Sequence, residues 1–146
     1  MKNRPEPIEA AIHFIEKHFP NCQGAILAGS VVRGQATETS DLDIVVFDDN
    51  LVSSYRESFI KFGWKIELFA HNLTSYRFFF ESDCKEARPS MLRLVSDGKI
   101  LKDENGTPAF VVKEVEETLS EATWNDGARF AKYEVDKTKK YDWAEN

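Results

Sequence analysis

The chain has 146 residues, 42% apolar and 30% charged, with 11 phenylalanines and a formal net charge of −6. That predicts one soluble globular domain with a real core, and it excludes disorder as the main state. The acidic balance argues against a nucleic-acid backbone binder, no apolar run nears the ~18 residues of a membrane span, and no apolar stretch follows Met1-Lys2-Asn3-Arg4-Pro5, so the expected compartment is the cytoplasm without a secretory leader.

Pro5 and Pro7 precede Ile8, Ala11, Ile12, Ile15 and Phe19, spaced as the apolar stripe of a helix that Pro20 ends. Gly24-Ala25-Ile26-Leu27-Ala28 reads as a short buried strand ending at Gly29-Ser30, and Leu42 to Phe47 as a second strand rich in β-branched residues. Tyr55, Phe59 and Phe62 predict a helix closed by Gly63. Trp64 to Phe69 alternates and reads as a third strand. Thr74 or Ser75 would cap a helix running through Phe80 to about Glu86 and stopped by Pro89, and Ser90 to Val95 is expected to be helical. Lys99-Ile100-Leu101 is a short strand ahead of the turn Asp103-Glu104-Asn105-Gly106. From Pro108 two helical stretches are expected, with a break near Gly127 and a polar end from Lys137. Helices alternate with short strands throughout, so the class is α/β or α+β, in a single domain over 1–146.

The chemistry concentrates in Gly29-Ser30-Val31-Val32-Arg33-Gly34 and Ser40-Asp41-Leu42-Asp43-Ile44. Asp41 and Asp43 are two apart on an expected strand, so both carboxylates project from one face. Two like charges side by side inside a fold are unfavourable unless a cation lies between them, and hard oxygen ligands suit Mg²⁺. Upstream, a strand ends in Gly-Ser and enters an expected helical turn at Val31-Val32-Arg33, a place where free backbone N–H groups favour phosphate and Ser30 adds a hydroxyl. No Gly-Lys-Ser/Thr follows and no GxGxxG is present, so this is neither a Walker loop nor a dinucleotide fingerprint. Glu67, between Ile66 and Leu68, is a third carboxylate in an expensive place. If its strand lies beside that of Asp43, three carboxylates can hold one or two divalent ions for in-line attack on a phosphate.

Gly29-Ser30, the Asp41-x-Asp43 pair and the later strand acid Glu67 resemble the nucleotidyltransferase superfamily that includes polymerase β. The run Gly29 to Gly34 followed by Ser40-Asp41-Leu42-Asp43 is most similar to its small bacterial branch, the aminoglycoside nucleotidyltransferases and the minimal nucleotidyltransferases of toxin–antitoxin pairs. The resemblance covers about residues 22–104 and leaves a helical extension over about 108–146. It implies a small mixed sheet with helices mainly on one face. It implies that Asp41 and Asp43 ligate two Mg²⁺ ions, or Mn²⁺ in their place. Glu67 would ligate the catalytic ion and help deprotonate an acceptor hydroxyl, while Gly29 and Ser30 hold the β,γ-phosphates. The donor would be a nucleoside triphosphate, ATP first, and the acceptor an unidentified hydroxyl. Larger relatives continue into an acceptor-binding helical domain, whereas only about forty residues follow Pro108 here. The resemblance therefore also implies a homo-oligomer or a hetero-complex. A non-enzymatic alternative is an antitoxin-like partner that binds nucleotide with little turnover.

Other residues carry two readings. Arg33 pairs with a triphosphate or an acidic partner, or is a surface residue. Ser40 orients Asp41 or serves the turn. Asp103 is read as a turn residue. His13, His18 and His71 lack metal-ligand spacing and are read as structural, and Cys22 and Cys84 as isolated reduced thiols. Tyr76, Phe78, Phe79 and Phe80 form a core cluster, or stack on a base.

Overall fold

A computed structural model describes residues 4–85 and 90–121. In chain order the elements are α1 (Pro7–His18), β1 (Gly24–Ala28), β2 (Leu42–Phe47), β3 (Tyr55–Lys61), β4 (Trp64–His71), α2 (Tyr76–Lys85), α3 (Ser90–Ser96), β5 (Lys99–Asp103) and α4 (Thr107–Glu121). The strands form one sheet in the order β3-β4-β2-β1-β5, in which β2 and β4 run parallel and every other pair antiparallel. This is the expected mixed sheet of an α+β fold.

Strand alternation splits the core in two. Ala25, Leu27, Leu42, Ile44, Val46, Ile66 and Leu68 face α1, which contributes Ala10, Ala11, Phe14 and Ile15. Ile26, Val45 and Phe47 face the other way, under Tyr76, Phe80, Leu92, Val95, Val111 and Val115. Three of the four described helices thus lie on one face and α1 lies alone on the other. The buried side of α1 is turned from the expected stripe, because Ile8 and Ile12 remain partly exposed while Ala10 and Phe14 are fully covered. The small Ala10 and Ala11 let the helix sit close to the sheet, and Phe14 fills the space beside them.

The expected helix over Tyr55, Phe59 and Phe62 is instead the edge strand β3. An interval of four keeps two residues on one face of a helix and equally on one face of a strand, so Tyr55 and Phe59 do not discriminate. The turn decides it. Phe62 (φ 56) and Gly63 (φ 79) both take the left-handed region, and Lys61 pairs with Trp64, which makes a two-residue hairpin of the primed kind. The start of α2 falls where the sequence places it. The helix begins at Tyr76, directly after Ser75, and the turn ahead of it is closed by a reciprocal pair: Asn72 Oδ1 accepts the Ser75 N–H at 2.8 Å and Ser75 Oγ accepts the Asn72 N–H at 3.0 Å. Asp103 is a turn residue as expected: its oxygens accept the Gly106 and Ala109 N–H groups and lead the chain into α4. The expected extension to Glu86, the stop at Pro89, the break near Gly127 and the polar end all lie outside the described residues. Among the described residues no helix is long and apolar enough to cross a membrane.

Candidate functional site

Strand pairing assembles the site. In the parallel β2–β4 ladder Asp43 is the register partner of Glu67, and in the antiparallel β1–β2 ladder it is the partner of Ala28. The β1 chain therefore delivers Gly29 and Ser30 directly beside Asp43. Asp43 alternates with Val45 and Phe47, so its carboxylate projects on the α2–α4 face of the sheet. Asp41 lies one residue before β2 rather than on it.

Gly29 is the tightest point. Its φ is +93°, and a Cβ there would sit 2.7 Å from Asp43 Oδ2, so a side chain would strain the backbone and displace the Asp43 carboxylate. The chain then makes a single turn rather than a helix. Val32 and Arg33 donate to the carbonyls of Gly29 and Ser30, and Gln35 donates back to the Ser30 carbonyl across Gly34, whose φ is +74°. Such a six-to-one closure at a left-handed glycine ends a helix as soon as it begins. Gly29-Ser30 therefore leads into one isolated turn and not into the phosphate-binding end of a full helix. Ser30 Oγ donates to Ser40 Oγ at 3.0 Å, and Ser40 Oγ also accepts the Thr37 N–H at 2.8 Å. Ser40 thus orients Ser30, where the sequence suggested Asp41. Arg33 is exposed, with its Nε 3.4 Å from Gln35 Oε1.

The electrostatics bind the carboxylates into one cluster. Burial raises the Asp43 carboxyl above its ordinary range, and the negative charges of Asp41 and Glu67 raise it further, with Arg56 and Arg33 opposing. Glu67 moves the other way, chiefly because Ser58 Oγ donates to its Oε2 at 2.6 Å; Arg56 Nε reaches Oε1 at 3.4 Å. Ser58 is the β3 register partner of Glu67, and the Arg56 guanidinium lies 4.7 Å over the Phe69 ring. Sequence reading missed both residues because they sit on the strand mistaken for a helix.

Among the described residues no three His, Cys, Asp or Glu side chains are arranged as a ready metal cage. The donor chemistry nevertheless fits a hard divalent cation: Asp43 is disfavoured as an anion by the two acids beside it, and a cation removes that penalty. The remaining candidates are structural. His13 and His18 pack against Phe62 and Phe59, and His71 is buried in the sheet. Cys22 is buried, which pushes its thiol up. Tyr76 and Phe80 are core while Phe78 is exposed; the side chains of Phe79 and Cys84 lie outside the described residues.

The family model described as "Nucleotidyltransferase domain" matches residues 8–96, a segment holding Gly29, Ser30, Asp41, Asp43 and Glu67. The chain belongs to this nucleotidyltransferase domain family. The nucleotidyltransferase domain also resembles the crystal structure of a nucleotidyltransferase-like protein from Exiguobacterium sibiricum 255-15, with a TM-score of 0.52 at 16% identity. That likeness concerns the fold. It covers 75% of this chain and 38% of the other, so the chain spans well under half of that protein's length. A search of curated proteins found no match.

Proposed function

We propose that this domain transfers a nucleoside monophosphate from a nucleoside triphosphate, ATP first, to a hydroxyl of a small-molecule or protein acceptor. The observation that carries the reading is the Asp43–Glu67 pair, in register on parallel strands and flanked on the β1 side by Gly29, where a side chain would run into the Asp43 carboxylate. Asp41 and Asp43 would hold Mg²⁺ or Mn²⁺, with Glu67 as the third carboxylate. Two such ions, when bound, neutralise triphosphate charge and polarise the α-phosphorus.

The residues of the chain do the rest. Gly29 and Ser30 form the tight turn after β1 that would face the β,γ-phosphates, with Ser30 held in place by its hydrogen bond to Ser40 Oγ. Arg33 supplies an exposed positive charge for the outer phosphate. The acceptor oxygen forms a bond to the α-phosphorus as the bond to the pyrophosphate oxygen breaks. The hydroxyl proton passes to the Glu67 carboxylate, which Ser58 and Arg56 keep ionised. Pyrophosphate leaves.

A second reading is an antitoxin-like partner that binds nucleotide with little turnover of free substrates. The engagement of both Glu67 oxygens by Ser58 and Arg56 favours it, since those bonds compete with catalysis. Incubation with labelled triphosphates and candidate acceptors, read by mass spectrometry, separates the two. A mass gain of one nucleoside monophosphate supports transfer; binding without any such gain supports the partner reading.

A further inference from the structure

Arg4 lies ahead of the segment that defines the family, yet three elements converge on it. Its guanidinium stacks 3.5 Å from the centre of the Trp64 ring at the start of β4. Trp64 is itself held, because its Nε1 donates to the Pro5 carbonyl at 2.9 Å. The hairpin turn before Trp64 makes room: a Cβ on Gly63 would meet Arg4 Cβ at 2.8 Å. The fork of the guanidinium then faces the loop 35–40. Nη2 donates to the Thr37 carbonyl at 3.3 Å and Nη1 to the Glu38 carbonyl at 3.4 Å.

That loop is exposed along residues 35–39. Its hold on the rest of the fold matters because it ends in Ser40. Thr37 N–H donates to Ser40 Oγ, Ser40 N–H donates to the Thr37 carbonyl at 3.1 Å, and Ser30 Oγ donates to Ser40 Oγ. A continuous chain of contacts therefore runs from the Trp64 ring through Arg4, Thr37 and Ser40 to Ser30, beside the Asp43 carboxylate.

We propose that Arg4 is a positioning residue of the nucleotide site: it pins the loop 35–40, fixes Ser40, and so holds the Ser30 side chain, whose hydroxyl donates to Ser40 Oγ, on the turn that would face the triphosphate. The proposal rests on the nucleotidyl-transfer reading of that site. Arginine suits the role because one planar fork serves two carbonyls while its face lies on an indole. Lysine keeps the charge over the ring but offers a single point donor.

The test compares the unaltered chain with Arg4→Met and Arg4→Lys, by amide hydrogen exchange without nucleotide and by calorimetric titration with Mg–ATP. Arg4→Met keeps apolar cover on Trp64 and removes the donors. It should speed exchange at the Thr37 and Ser40 amides, and weaken Mg–ATP binding, each by about tenfold, a figure within what two lost hydrogen bonds are worth. Arg4→Lys should fall between. A merely structural role would spread faster exchange over the sheet and leave the affinity of the folded protein unchanged. Exchange at Thr37 and Ser40 equal to that of the unaltered chain overturns the pinning. Faster exchange there with unchanged Mg–ATP affinity overturns the positioning. Failure of the unaltered chain to bind Mg–ATP overturns the nucleotide reading and the positioning with it, while the exchange data still decide whether Arg4 holds the loop.

Discussion

Asp43 on β2 and Glu67 on β4 are register partners in a parallel ladder, two acids on one face of adjacent strands. Their environments push them apart. Asp43 is shifted up by burial and like charge, and Glu67 is shifted down by the Ser58 hydroxyl. An acid whose folded pKa is raised costs stability above that pKa. Asp43→Asn should therefore stabilise the metal-free protein at neutral pH, read as a higher Tm. Thermal unfolding in EDTA checks this; a lower Tm would mean that Asp43 makes bonds the fold depends on.

Gly29→Ala should damage both fold and site. The left-handed backbone and the 2.7 Å approach to Asp43 Oδ2 each oppose a methyl group. The expected cost is about 2 kcal/mol, read as a lower urea midpoint. The added methyl should also weaken Mg–ATP binding in the fraction that folds.

Glu67→Gln should separate binding from chemistry. Its proposed work is on the acceptor proton and the catalytic ion, which count chiefly in the transition state. The transfer rate should fall by roughly 10²-fold or more while Mg–ATP affinity changes little. Equal losses of rate and affinity would make Glu67 an ordinary ligand of the triphosphate complex.

Much of this site is written locally in the sequence. The Asp41-x-Asp43 spacing, the Gly29-Ser30 ending of a strand and the buried run around Glu67 are all near-neighbour patterns, and they suffice to place the strands. The edge strand is not local in this sense. Tyr55 and Phe59 satisfy two periods at once, and their environment depends on pairing with β4, which no short window contains. Ser58 and Arg56 therefore stayed hidden, although they set the state of Glu67. Arg4 was illegible for a related reason. Its partners, Trp64 and the Thr37 and Glu38 carbonyls, are brought to it only by the folded sheet.

His71 gives the fold a pH dependence independent of the site. Burial lowers its pKa from 6.5 to about 4. Below pH 6.5 the unfolded chain takes up a proton that the folded chain refuses until about pH 4, so acid favours unfolding across that window. Stability should fall by up to about 3 kcal/mol as pH drops from 7 to 4, an order-of-magnitude figure from the size of the shift. Urea unfolding at several pH values should show this slope, and His71→Gln should reduce it. An unchanged slope would place the acid sensitivity elsewhere.

The measurement that bears most directly on the nucleotide site is calorimetric titration of Mg–ATP into the unaltered chain and into the Asp41→Asn, Asp43→Asn double variant, with thermal unfolding as a check on folding. The unaltered chain should bind, and the double variant, folded and at least as stable without metal, should show no measurable binding. Equal Mg–ATP affinity in the two proteins would contradict the assignment of the nucleotide site to these carboxylates.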